Sequence, residues 1–308
     1  MQRISSLVLG VLLAGSVQAH DVLELDDLLN AFGWNFETAE ITVEKLNDSF
    51  YVLFGIGGNI AVSIGEQGVL IVDDQFPQMM PKIQAAIADI GGDRVDFAIN
   101  THWHFDHAEG NLSLGPAGTW LVSQANSRAM MANDHIINLV SLQYLQQAYP
   151  EAAKPVITYT DRMQFHFNGE QIDLLHFGPA HTTGDTAIIF RGNNAVHLGD
   201  VFNNSGYPFI DADNGGDLSG MIEFCTAVLA EIDENTTVIP GHGPVTDYAT
   251  LASYIDMLST IRDRITALIA DGADLQAVIA AKPTADFDAR YGDPAGVINR
   301  SYASLTRD

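Results

Sequence analysis

The chain is short of cations, of thiols and of long apolar runs. Of its 308 residues only 14 are Lys or Arg, against 39 Asp or Glu, a formal charge of −25. So little positive charge repels a nucleic-acid backbone or an anionic membrane surface, and neither is expected as the main partner. The single cysteine, Cys225, excludes a disulfide framework. No apolar run is long enough to span a bilayer, and no Pro/Ser-rich linker or low-complexity segment divides the chain. What is present is a hydrophobic content of 47%, which excludes disorder. The length suits one large core or two fused half-domains. These limits leave a compact acidic protein whose partner is a small molecule.

Residues 1–19 (MQRISSLVLGVLLAGSVQA) have the three parts of a secretory signal peptide: Arg3, an apolar stretch from Leu7 to Gly15, and Val17-Gln18-Ala19 before a cut. The expectation is a periplasmic or secreted protein beginning at His20. Residues 20–308 read as one catalytic domain, with a helical C-terminal part from about residue 246. His20 would be the new N-terminus, where amine and imidazole can chelate copper, but no partner residue is in view.

Residues 41–46, 50–54, 59–64 and 68–73 read as strands, rich in Val, Ile, Phe and Tyr and separated by Asn-Asp and Gly. Gly55-Ile56-Gly57-Gly58 reads as a flexible hairpin tip. Residues 81–90 read as a helix stopped by Gly91-Gly92, 95–100 as a buried strand, and 124–150 as mostly helical. Strand signals return at 163–167, 171–177, 185–190 and 195–198. Leu218, Met221, Ile222, Cys225, Val228, Leu229 and Ile232 then share one helical face, which assigns Cys225 to core packing. A strand at 237–239 and helices from about 246 finish the chain. Strands, helices, strands, helices in two similar halves predict an α/β fold: an αββα sandwich of two mixed β-sheets packed face to face, with helices outside each.

The strongest local signal is Thr101-His102-Trp103-His104-Phe105-Asp106-His107, directly after the strand 95–100. Three imidazoles and a carboxylate buried together without a cation would leave donors and acceptors unpaired. His and Asp are, however, ligands for a borderline metal such as zinc, at about 2.0–2.2 Å. In an extended segment His102 and His104 point to one side, and the next two donors, after a turn, can serve a second metal. His181, Asp200 and His242 each sit just past a strand beside Gly, which lets backbone and metal approach closely. Singly, His181 or His242 also reads as a turn histidine; beside the His-rich segment they read as further ligands.

The pattern His102-x-His104-x-Asp106-His107, then His181, Asp200 and His242, resembles the metallo-β-lactamase-fold hydrolase superfamily. Residues 68–74 (GVLIVDD) resemble its early strand motif ending in an acidic residue, and the likeness spans residues 40–245 or so. The resemblance implies a metal-dependent hydrolase with two Zn2+ ions per chain. His102, His104 and His181 would bind the first ion, Asp106, His107 and His242 the second, with Asp200 bridging. Asp73 would be a carboxylate behind them that orients a ligand. The implied reaction is attack on a carbonyl by a hydroxide shared between metals about 3.5–4 Å apart, with Asp106 orienting it. The implied substrate is a cyclic or activated amide or ester, β-lactam or lactone. One departure matters: the antibiotic-hydrolysing branch has a Cys where Asp200 stands, and Cys225, on its apolar face, cannot replace it. An Asp there resembles the broader hydrolases, glyoxalase II-like and lactonase-like members included. No Lys lies near Asp200 in the sequence to hold a β-lactam carboxylate.

The loop 201–208 should rim the site, where Asn204 and Tyr207 are candidate donors to a developing oxyanion, or simply turn residues. Trp34, Phe54, Ile56 and Trp103 are candidates for an apolar substrate wall, with packing favoured for Trp34. His135, His166, His176 and His197 read as structural or surface residues, and residues 211–217 as a solvated acidic loop. Two rival functions fit the same residues. Persulfide-dioxygenase-like oxidoreductases of the same fold hold one iron on two His and one Asp, against which the full second ligand set stands. A non-catalytic periplasmic metal-binding or redox accessory protein would bind zinc without hydrolysis.

Overall fold

The computed structural model describes residues 22–307; the signal-peptide reading of residues 1–19 and any role of His20 fall outside them. Two β-sheets face each other. The first has seven strands in the spatial order Ile157–Tyr159, Trp120–Gln124, Val95–Ile99, Gly68–Val72, Ile60–Gly65, Phe50–Phe54 and Thr42–Lys45. The second has six: Arg162–Phe167, Glu170–Leu175, Ala187–Phe190, Ala195–His197, Thr237–Ile239 and Thr246–Asp247. Both are mixed. Gly68–Val72, Val95–Ile99, Trp120–Gln124 and Ile157–Tyr159 pair in parallel, as do Ala195–His197 and Thr237–Ile239, while the remaining neighbours are antiparallel.

Period-two alternation sorts the side chains into layers. Phe50 and Val52 of one strand, and Leu70 and Val72 of another, enter the core between the sheets; there they meet Ile172, Leu174, Ile188 and Phe190 from the opposite sheet. The intervening Tyr51, Leu53, Val69 and Ile71 face outward, under the helix Met80–Asp89 with its Ile83 and Ile87. Ala187 and Ile189 face outward on the other side, under Leu218–Glu231 and Tyr248–Ala270. Strands buried on both faces explain the unbroken apolar runs in the sequence. Each fully buried Val, Ile or Phe contributes roughly 1.5–3 kcal/mol. The αββα sandwich is therefore the fold, and Cys225 lies in its outer core.

Residues 124–150 depart from the helical expectation. Only Ala125–Met131 is helical; His135–Asn138 and Gln143–Gln146 form an antiparallel hairpin. Asn133-Asp134 break the helix, and the β-branched pair Ile136-Ile137 suits a pleat better than a helical turn. Val22–Leu23 adds a third, parallel strand to this hairpin. The lead-in before residue 41 holds a helix, Leu25–Phe32, with Asp26 and Asp27 in its first turn and Gly33 closing it at φ 67°. Among the described residues no helix is long and apolar enough to cross a membrane.

Candidate metal centre

The strand ends of both sheets meet at one edge. After Val95–Ile99 the chain bends at Thr101 and His102, is extended at His104 (φ −64°, ψ 150°), and then enters the short helix Phe105–Ala108. The bend carries His102, His104 stands just before the helix, and the helix carries Asp106 and His107. His181 follows Glu170–Leu175, Asp200 follows Ala195–His197, and His242 follows Thr237–Ile239. His104 Nδ1 lies 2.8 Å from His181 Nε2, and Asp200 Oδ2 lies 3.7 Å from the same nitrogen. Asp200 Oδ1 is 3.1 Å from His107 Nε2 and 3.3 Å from His242 Nε2, and that last nitrogen is 3.2 Å from Asp106 Oδ2. Three overlapping sets have ligand atoms within 4.8 Å of one another: His102, His104 and His181; His102, His107 and Asp200; Asp106, His107 and His242. The sequence-predicted donors come together.

Four of the five histidines have a partner on the outward-facing ring nitrogen. His107 Nδ1 lies 2.7 Å from Asp73 Oδ2, His104 Nε2 lies 2.9 Å from Asp211 Oδ2, and His181 Nδ1 lies 2.8 Å from the Phe209 carbonyl oxygen. Carboxylates and carbonyls only accept, so these nitrogens carry the ring proton. Thr101 Oγ1 donates to Asp73 Oδ2 at 2.8 Å, which leaves a lone pair for the Nδ1–H of His102 at 3.0 Å. In neutral rings the inward nitrogens are therefore all lone pairs. His104 and His181 turn theirs at each other, and His102 Nε2 and Asp200 Oδ1 are buried without a hydrogen-bond partner. That set is unfavourable alone and becomes favourable around a shared cation. A nitrogen-and-carboxylate donor set suits a borderline divalent ion.

Titration divides the cluster. Burial, reinforced by the neighbouring imidazoles, holds His102 well below its ordinary value, and burial and His104 lower His181. Burial would also lower His107 and His242, but Asp200 and Asp106 overcome it: His107, aided by Asp73, is held well above its ordinary value and His242 reaches about 10. Against their own burial, Asp200 and Asp106 are held below the usual carboxylate range by His242 and His107. His102 and His181 are thus held as neutral ligands, whereas His107 and His242 hold protons that an ion must displace.

The backbone is shaped around these groups. Asp73 adopts φ 64°, a conformation costly for a non-glycine residue, and so aims both oxygens at the His-rich segment, where Oδ1 accepts from the Thr101 N–H at 2.7 Å. The glycine tip 55–58 is a packed surface rather than a flexible one. Gly58 donates to the Asp106 carbonyl at 2.9 Å, and a Cβ there would fall inside the His107 ring. Asn59 donates to the carbonyls of Pro240 (2.9 Å) and Gly243 (2.8 Å), tying this tip to the His242 loop.

Other expected residues fall elsewhere. Asn204 spends its amide on the Pro244 carbonyl (2.9 Å), and the Tyr207 hydroxyl donates to Asp288 Oδ1 (2.8 Å). It is Asn203, with the Tyr207 ring, that lines the cleft over the cluster. Of the four wall candidates only Trp34 lines that cleft; Trp103 is fully buried, 4.6 Å behind His104 between ring centres, while Ile56 and Phe54 pack in the core. Trp34 does pack, against the core beside Phe76, and the same ring also faces the cleft. The expectation for Asp211 is corrected. It is fully buried rather than solvated, and Asn214 donates to both its oxygens at 3.0 Å while it holds His104. His197 is buried, 2.9 Å from the Asn59 carbonyl, and His176 is 2.8 Å from the Asp185 carbonyl, both structural roles. His166 is exposed, and His135 stands beside Trp103. Sequence reasoning passed over Thr101, Asp211 and Phe209; only Thr101, adjoining the motif, offered a signal.

Fold and site together define an αββα protein with a buried His/Asp metal-binding cluster. The chain belongs to the metallo-beta-lactamase superfamily, whose family model matches residues 58–242. A metallo-beta-lactamase from Pontibacter korlensis superposes with a TM-score of 0.59 at 15% identity, covering 71% of this chain and 99% of that one. The DIM-1 metallo-beta-lactamase gives 0.57 at 17% identity, over 72% of this chain and 98% of that one. At such identities the likeness is one of fold. No curated protein sequence matches the chain.

Proposed function

We propose that the protein is an exported di-zinc hydrolase of cyclic or activated amides and esters. The carrying observation is the convergence of seven His and Asp donors on one point, with the outer ring nitrogens of His107, His104, His102 and His181 held by Asp73, Asp211, Thr101 and the Phe209 carbonyl. His102, His104 and His181 would hold one ion and Asp106, His107 and His242 the other, with Asp200 between them. Bound ions would supply Lewis acidity toward a carbonyl oxygen and acidify a water so that it reacts near neutral pH.

The chain's own residues do the positioning. Asp73 and Asp211 fix the tautomer and plane of His107 and His104, so the donors need not reorganise as charge develops. Asp106, kept ionised by His107 and His242 despite its burial, accepts a hydrogen from the attacking water and aims its oxygen. The net change adds one water across the acyl bond: oxygen to the carbonyl carbon, hydrogen to the departing nitrogen or oxygen. The complete set Asp106, His107 and His242 favours two ions over the single iron of an oxygenase.

The test uses residues 20–308 loaded with zinc, a chromogenic cephalosporin, and a panel of lactones and 4-nitrophenyl esters, with and without chelator. Chelator-sensitive turnover of any of them is expected. Two bound zincs with no turnover of any would contradict the reading.

A further inference from the structure

The cleft above the cluster holds about 230 Å³, and its walls are mostly carbon. Phe32 and Trp34 stand on one side, stacked with ring centres 4.8 Å apart; Ile137, Leu139 and Phe209 add apolar surface, and Asn203 and Tyr207 stand beside them. Among the described residues no Lys or Arg lines it; its ionisable groups besides Tyr207 are Asp106, Asp200, His104 and His242 of the cluster. Phe32 is 45% exposed, a large aromatic left in water at the lip of the site. Exposed Phe32 stacked on half-buried Trp34 leaves apolar surface that a ligand would cover.

Both walls are held in place by hydrogen bonds and packing. Phe32 and Trp34 precede the family-matched region, 58–242. The segment after Trp34 is pinned by Lys82, whose Nζ donates to the carbonyls of Phe36 (2.8 Å), Glu37 (2.8 Å) and Ala39 (2.6 Å). Trp34 packs edge-on against Phe76 at 5.8 Å. On the far side the hairpin carrying Ile137 is tied to the loop of Asp211: Asn138 donates to Asp213 (2.8 Å), and Asn214 donates to the Ile136 carbonyl (2.9 Å). Little ordering is left for the substrate to impose, so apolar contact converts efficiently into binding.

Resting on the hydrolase reading above, we infer that this cleft selects an uncharged substrate, holding its apolar acyl or aryl group between Phe32/Trp34 and Ile137/Leu139. Carboxylate-bearing compounds, β-lactams among them, are disfavoured. A carboxylate on the group held between Phe32/Trp34 and Ile137/Leu139 would lose its water and find no Lys or Arg on those walls, while the cations on the cleft floor would be engaged with the acyl group being cleaved.

Two matched probe pairs test this. The zinc-loaded enzyme is given 4-nitrophenyl hexanoate and mono-4-nitrophenyl adipate, equal in acyl length and differing by one carboxylate. The metal-free protein is given hexanoyl-4-nitroanilide and its adipic monoanilide, with Trp34 fluorescence as the readout and Trp34→Phe as the blank. The neutral ester should be preferred in kcat/KM by roughly tenfold or more. Phe32→Ala should raise its KM with zinc content unchanged, Leu139→Lys should narrow the preference, and only the neutral anilide should quench at low concentration. Equal kcat/KM for the two esters, or equal quenching by the two anilides, overturns the inference and leaves the hydrolase reading standing. Selective quenching with neither ester hydrolysed overturns the hydrolase reading and leaves the cleft's selectivity standing.

Discussion

His104 and Asp211 are 107 residues apart in the chain and 2.9 Å apart in the fold, Nε2 to Oδ2, both side chains almost wholly buried. That contact decides which nitrogen of His104 faces His181. Asp211→Ala should therefore lower the affinity of the His102/His104/His181 set by about 10–100-fold. Asp211→Asn, which keeps an acceptor, should lose less. Competition with a chromophoric chelator measures both; unchanged affinity in Asp211→Ala would remove the orienting role.

Asp73 accepts from His107 Nδ1, the Thr101 N–H and the Thr101 hydroxyl at once. Removing it strands three buried donors. Asp73→Ala should cost the metal-free protein about 3–5 kcal/mol, the usual scale for breaking a buried pair. Urea unfolding reads this directly, and an unchanged midpoint and slope would contradict it.

Gly58 is required by space, since a methyl there meets the His107 ring, whereas Gly296 has nothing near its missing Cβ. Gly58→Ala should lose the ion held by Asp106, His107 and His242. Gly296→Ala, at the start of the helix Ala295–Leu305, should keep the wild-type zinc content and melt no lower. Full zinc content in Gly58→Ala would contradict the close packing.

Much of the fold was legible because strands buried on both faces leave continuous apolar runs and because Gly and Asn-Asp punctuate them. The donor set was legible because its first half is local: a bend after the strand followed by one helical turn brings His102, His104, Asp106 and His107 together. What escaped was non-local or ambiguous. Nothing in residues 211–217 announces a buried carboxylate, because its partner is on another strand's end. The hairpin His135–Asn138 and Gln143–Gln146 carries apolar residues whose short runs fit either period. The helix Leu25–Phe32 had its pattern in Leu25, Leu28, Leu29 and Phe32, masked by the surrounding acidity.

Metal uptake should depend on pH with a definite sign. His107 and His242 are raised above their ordinary values in the ion-free cluster, His242 to about 10, so at pH 7 both hold protons that an ion must expel. Zinc binding should release protons, and the affinity of the Asp106/His107/His242 set should rise with pH between about 6.5 and 10. A weakly buffered titration with a pH indicator would show it, and uptake without proton release would contradict it.

Two divalent ions on separable ligand sets can be counted one at a time. Zinc per chain is measured by elemental analysis after gel filtration, on the wild type, His181→Ala and Asp106→Ala. Two zincs are expected in the wild type and one in each variant, with Asp106→Ala losing turnover as well. A single ion in the wild type, or full zinc content with retained turnover in Asp106→Ala, would contradict the two-ion reading.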